Sequence, residues 1–179
     1  MTRKILAQGD LDGACYLYSI ANSYFALTSK QLTSAQWKHS LCASPFKLDD
    51  YLSGQGTEAL DHTPDYLEGL CRNFLGEIKN ARFEVTRSEN VSSRSLRAAL
   101  SEKQVVIVAF SDGDHWVSIV DADQQKFYLA CSAVALTSKA PYKEEKSPNF
   151  KRAFNKTSSF DDLRIWNKYA LLVKNVTDE

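Results

Sequence analysis

A chain of 179 residues with 44% hydrophobic and 11% aromatic content can build one substantial core, so a single domain over residues 1–179 is expected. Its 22 basic and 22 acidic side chains cancel, which removes the general electrostatic attraction that nucleic-acid and anionic-membrane binding use. Neither partner is expected. Arg3 and Lys4 are not followed by an apolar run, which argues against a secretory signal, and no stretch approaches the roughly 18 apolar residues of a membrane span. Cys15, Cys42, Cys71 and Cys131 lie far apart without a CxxC pair, and with three histidines they show none of the zinc spacings. Thiols, no metal, no cofactor and a cytoplasmic location are the expectation, with export by a signal-less route left open.

In chain order, the apolar residues Ala14, Leu17, Tyr18, Ala21, Tyr24 and Phe25 recur at spacings of three and four. This predicts a helix from Gly13 to about Leu27, capped by Asp10 or Asp12, with its aromatic stripe in the core. A second helix is expected over Ser34–Cys42, stopped by Pro45, and then a loop over Leu52–Thr57. Pro64 suits a helix first turn, and Tyr66, Leu67, Leu70, Cys71 and Phe74 give a third helix ending near Gly76. The period then changes. Arg82–Thr86 alternates as a strand, Ser92–Leu100 is a short helix with Leu96, Ala99 and Leu100 inward, and Gln104–Phe110 is an apolar run of central-strand length. After a turn at Asp112-Gly113-Asp114, His115–Asp121 and Lys126–Cys131 form two strands joined by a turn at Ala122–Gln125. Residues 139–159, rich in Lys, Ser and Pro, read as a long exposed loop. Tyr169–Val173 is the last strand. Helices first and then a mostly antiparallel sheet define an α+β class in two layers.

Three residues point to chemistry. Cys15 falls in the first turn of an apolar helix, where the helix dipole and unpaired N–H groups favour the nucleophilic thiolate; the bland alternative is a small buried core residue. His115 opens a strand and can reach a helix N-terminus packed on that sheet, as general base or as ion-pair partner of the thiolate. Gln8, seven residues before Cys15, can donate to an oxyanion together with the Cys15 N–H. His39 and His62 sit in polar surroundings and carry no such pattern.

The run Gln8-Gly9-Asp10-Leu11-Asp12-Gly13-Ala14-Cys15, with Ser19 and Asn22 behind it, and the later Asp114-His115-Trp116-Val117-Ser118-Ile119-Val120 resemble the papain-like cysteine peptidase superfamily. Within it the strongest likeness is to the peptidases that process bacteriocin leaders and their stand-alone relatives. Phe160–Trp166 followed by Tyr169–Val173 resembles their closing segment. Shorter pieces, Asp12-Gly13-Ala14-Cys15 and His115-Trp116, resemble two kinds of deubiquitinase, the ovarian-tumour and Josephin types.

The resemblance implies a papain-like fold, N-terminal helices packed on a mostly antiparallel sheet, and a peptide or protein substrate. It implies a peptidase or amidase with Cys15 as nucleophile, His115 as base and Gln8 in the oxyanion hole. A thiol-dependent deamidase or transglutaminase-like effector would use the same residues, and a non-catalytic papain-like module that binds a protein is the third reading. The chain departs from the pattern in three ways. The Asn or Asp that orients the histidine should fall fifteen or sixteen residues beyond it, where this chain has Ala130-Cys131-Ser132, and of these Ser132 offers only a weak acceptor. Asp121 shares a strand face with His115 but lies roughly 20 Å along the strand, so either Asp10, Asp12 or Asp114 substitutes or Cys15 and His115 work as a dyad. Tyr16 stands where a Gly often follows the nucleophile, and the Gln8–Cys15 spacing is one residue long.

Overall fold

The structure, a computed structural model, describes residues 4–8, 14–43, 64–110, 115–137 and 142–177. Helices α1 (Cys15–Thr28), α2 (Ser34–Ala43) and α3 (Pro64–Gly76) precede strand β1 (Phe83–Ser88). Helix α4 (Ser93–Ser101) leads into β2 (Val105–Phe110), β3 (His115–Ala122) and β4 (Phe127–Ala130). After α5 (Ser132–Thr137) come β5 (Glu145–Lys146), β6 (Ala153–Phe154) and β7 (Lys156–Ser158). A single turn α6 (Phe160–Leu163), a 3-10 turn (Trp166–Lys168) and β8 (Ala170–Asn175) end the described chain. The main sheet has the order β1-β8-β2-β3-β4-β7, β5 and β6 form a separate ribbon, and the described pairings are all antiparallel. This is the expected α+β class. Pro45, the loop at Leu52–Thr57, His62 and the Asp112–Asp114 turn lie outside the described residues.

The apolar run of β2 is buried along almost its whole length because both faces of the sheet are covered. Successive strand residues point to opposite faces. Ile107 and Ala109 join Trp116, Leu171 and Val173 beneath α1 and α3, whereas Val106 and Val108 join Val117 and Ile119 beneath Leu96, Ala99 and Leu100 of α4. Helix α4 therefore adds cover to the face opposite the N-terminal helices. For the same reason β3 shows no alternation of burial, with Trp116 through Asp121 all buried. Ser92 caps α4 by accepting from the Ser95 N–H, and the Ser95 hydroxyl oxygen accepts from the Ser92 N–H in return.

Helix α1 is keyed to β3 by hydroxyls. The buried Ser118 Oγ donates to the Ser19 carbonyl at 2.6 Å, and Ser23 Oγ donates to Ser118 Oγ at 3.1 Å. Four helix residues rise about 6 Å, close to the rise of two strand residues. The ladder of Cys15, Ser19 and Ser23 therefore keeps step with Trp116 and Ser118, and fixing Ser19 on Ser118 brings Cys15 to Trp116.

Residues 142–159 are not the exposed loop that their composition suggests. Ser147, Arg152, Ala153 and Phe154 are buried, and the Tyr128 and Phe154 rings pack edge-on at 4.8 Å. The Arg152 guanidinium donates to the carbonyls of Gln104 at 2.9 Å, Val120 at 2.8 Å and Lys103 at 2.5 Å. Asp121 accepts from the Asn149 N–H at 2.9 Å and the Phe150 N–H at 3.2 Å. Burial pushes the Asp121 carboxyl up, but these bonds and those from Ser147 and the Ala122 N–H outweigh it and hold the carboxyl below its ordinary value. Glu144, within the segment expected as an exposed loop, instead accepts from the backbone N–H groups of Lys4 and Ile5, both at 2.8 Å. No described helix is long and apolar enough to cross a membrane.

Candidate active site

Cys15 is the first residue of α1 and only 6% exposed. The residue before it, Ala14, occupies the helix cap position without a side-chain cap; Asp10 and Asp12, the expected caps, lie outside the described residues. The Trp116 N–H donates to Cys15 Sγ at 3.5 Å, which seats the sulfur against the residue that follows His115. Tyr16, placed where a Gly often stands in the family it resembles, points away into the core. Its ring meets Trp116 edge-on at 4.7 Å and its hydroxyl donates to the Leu67 carbonyl at 2.5 Å, so it locks α1 to β3 and α3.

His115 opens β3, and its Nε2 lies 3.4 Å from Cys131 Sγ. The antiparallel hairpin of β3 and β4 makes this contact. Ser118 pairs with Ala130 and Ile119 with Leu129, so the residue just beyond β4 returns to the start of β3. Cys131 is itself clamped: its N–H donates to Asn155 Oδ1 at 2.9 Å, and Asn155 Nδ2 donates to its carbonyl at 2.8 Å. Burial pushes the Cys131 thiol up, against the lowering influence of the Val134 and Ala133 N–H groups and the Lys156 charge.

His115 is pushed down to about 4, first by burial and then by the positive charge of Lys156. Lys156 Nζ lies 4.1 Å from the centre of the Phe110 ring, which packs edge-on against His115 at 5.7 Å. The imidazole is therefore neutral at pH 7, the state required of a base. The unfolded chain binds a proton at His115 below its ordinary value of 6.5 and the folded chain only below about 4. Unfolding therefore takes up a proton in that window, and His115 lowers stability as pH falls through it. In Lys156→Met the His115 value should rise from about 4 but stop short of 6.5, because burial, the larger cause, remains. Titration of the His115 ring signals by NMR checks this; an unchanged value would remove Lys156 from the site.

Gln8 reaches the same place by a separate route. Asn22 on α1 holds Leu6 by both backbone groups, accepting from its N–H at 2.8 Å and donating to its carbonyl at 3.4 Å. Two residues on, Gln8 Oε1 accepts from Ser132 Oγ at 2.8 Å, which turns the amide nitrogen, the donor end, away from Ser132. The structure thus gathers Gln8 at Ser132, His115 at the adjacent Cys131, and Cys15 at Trp116.

Several of these partners escape the sequence reading. Counting from His115 lands on Cys131, but a thiol carries no carboxylate or amide signal; Ser132 serves Gln8 rather than His115. Asn155 and Lys156 fall in the segment expected to be an exposed loop. Asp121 binds Asn149 and Phe150, at the other end of β3 from His115; Asp114 lies outside the described residues. His39 bonds Glu77 at 2.8 Å on the surface. Among the described residues no group of three or more His, Cys, Asp or Glu side chains is placed to hold a metal ion.

No protein-family model and no curated sequence matches the chain. Solved structures do. A putative C39-like peptidase from Bacillus anthracis superposes with a TM-score of 0.50 at 12% identity, over 94% of this chain and 92% of that one. A double glycine motif protease from an AMS/PCAT transporter, in complex with its leader peptide, gives 0.47 at 14% identity over 94% and 89%. The Pseudomonas avirulence protein AvrPphB gives 0.38 at 8% identity over 95% of each chain. The likeness to the Bacillus anthracis structure over nearly the whole of both chains shows a shared papain-like α+β fold.

Proposed function

We propose that this chain is a papain-like cysteine hydrolase that cleaves an amide bond in a peptide or protein. The observation that carries the reading is the seat of Cys15: first residue of a 14-residue helix, its sulfur on the N–H of Trp116, the residue that follows the neutral His115 along β3. His115 Nδ1 takes the thiol proton as Cys15 Sγ attacks the substrate carbonyl carbon and the C–S bond forms. The oxyanion receives the Cys15 N–H, at the positive end of the α1 dipole, and the Gln8 amide. His115 then protonates the amine as the C–N bond breaks. Water, deprotonated by His115, releases the thioester as a carboxylate.

Competitive alkylation by iodoacetamide at pH 7 tests this, because burial and activation oppose each other among the thiols. Cys42 is exposed, whereas Cys15, Cys71 and Cys131 are buried, and burial pushes the Cys71 thiol well up. Accessibility alone ranks Cys42 first. An activated Cys15 should instead react about tenfold faster than Cys42. If Cys42 leads and Cys15 is inert, the hydrolase reading fails and a protein-binding module of the same fold replaces it.

A further inference from the structure

The surroundings of Cys131 give it a part in this site. Resting on the hydrolase reading above, we infer that Cys131 is the positioning residue for His115, its sulfur accepting a hydrogen bond from the Nε2–H so that Nδ1 is left as the base toward Cys15. A neutral imidazole carries one proton and either nitrogen can hold it. Only the tautomer protonated at Nε2 can take a proton from Cys15 through Nδ1, so whatever meets Nε2 selects the working form.

The group that meets it is Cys131 Sγ, at 3.4 Å. Three features mark this sulfur as an acceptor held in place. The N–H groups of Ala133 and Val134 are directed at it, and the Lys156 charge is near enough to act on it, so donors and positive charge surround it. Its backbone is fixed on both sides by the paired bonds to Asn155, at 2.9 and 2.8 Å. The residue is 1% exposed, so solvent does not compete for its sulfur. Unlike a carboxylate, a thiol adds no negative charge beside the ring, in keeping with an imidazole that burial and Lys156 hold neutral. The residue therefore orients and selects the tautomer without stabilising an imidazolium.

The test uses the full chain with 15N-labelled histidine and two variants, Cys131→Ala and Cys131→Ser; the small, isosteric serine keeps an acceptor and guards against a folding failure in the alanine variant. In the native chain the ring shifts at pH 7 should report the proton on Nε2. Cys131→Ala should give mixed tautomers and slow Cys15 alkylation by about tenfold, part of what a misplaced base loses. Cys131→Ser should restore both. A proton on Nδ1 in the native chain, or shifts and alkylation unchanged in Cys131→Ala, overturns the inference. The two failures are separable. An ordinary Cys15 in the native chain removes the reaction and the role with it, whereas a reactive Cys15 indifferent to residue 131 removes only the role.

Discussion

Trp116→Ala is expected to lower the stability of the folded chain by about 3–5 kcal/mol, the range for truncating a large aromatic in a packed core. The side chain is 1% exposed and lies where three elements meet. It packs edge-on against Tyr16 of α1 at 4.7 Å and against Tyr169, just before β8, at 6.4 Å. Alanine leaves a cavity that neither the hydroxyl-keyed α1 nor the central strand can easily close. The loss should appear in denaturant unfolding as a lower midpoint at constant slope. Because Trp116 carries the N–H on Cys15 Sγ, loosening this corner should also slow Cys15 alkylation. A loss below about 1 kcal/mol would mean that the corner collapses around the gap, contrary to the packing described.

Arg152→Ala should cost about 3 kcal/mol or more, for a different reason. Its guanidinium serves three backbone carbonyls, those of Lys103, Gln104 and Val120, and lies 4.7 Å over the Phe150 ring. Burial lowers its pKa to about 10, against the raising influence of Asp121, yet it stays charged at pH 7. Removing it strips this donor from the buried Val120 carbonyl, at a cost of about 1–3 kcal/mol where water cannot enter. The part-buried Gln104 and Lys103 carbonyls lose it too, and so does the packing on Phe150. Arg152→Lys should recover little, since a point ammonium cannot reproduce the planar fork. Denaturant unfolding measures both variants, and limited proteolysis should cut within residues 142–159 first. Near-native stability in Arg152→Ala would show that Asp121 and Glu144 suffice to hold the segment.

The parts of the fold that the sequence announces are those with a local period. Pro64 and the spacing of Leu67, Leu70, Cys71 and Phe74 mark α3. The run Val105–Phe110 marks a central strand, and Leu96, Ala99 and Leu100 mark the inward face of α4. What has no local period stays hidden. Arg152, Asp121, Asn155 and Glu144 read as polar and solvent-seeking, yet each satisfies backbone groups at a distance in sequence, as Glu144 does for Lys4 across 140 residues. Composition counts such residues as surface because it does not see the carbonyls and N–H groups they meet. The candidate site divides in the same way. Cys15, His115 and Gln8 announce themselves through helix position, strand opening and spacing. Cys131 is reached by counting and then passed over for its chemistry, because an acceptor that is a thiol looks like any small core residue.

The hydrolase reading rests most directly on the coupling of Cys15 to His115, and the pH dependence of Cys15 alkylation in the native chain and in His115→Ala measures it. With a neutral imidazole as the base, native Cys15 should be alkylated markedly faster than Cys15 of His115→Ala at pH 7, and the difference should vanish as the ring is protonated toward about 4. Two superimposable curves across that range would contradict the account.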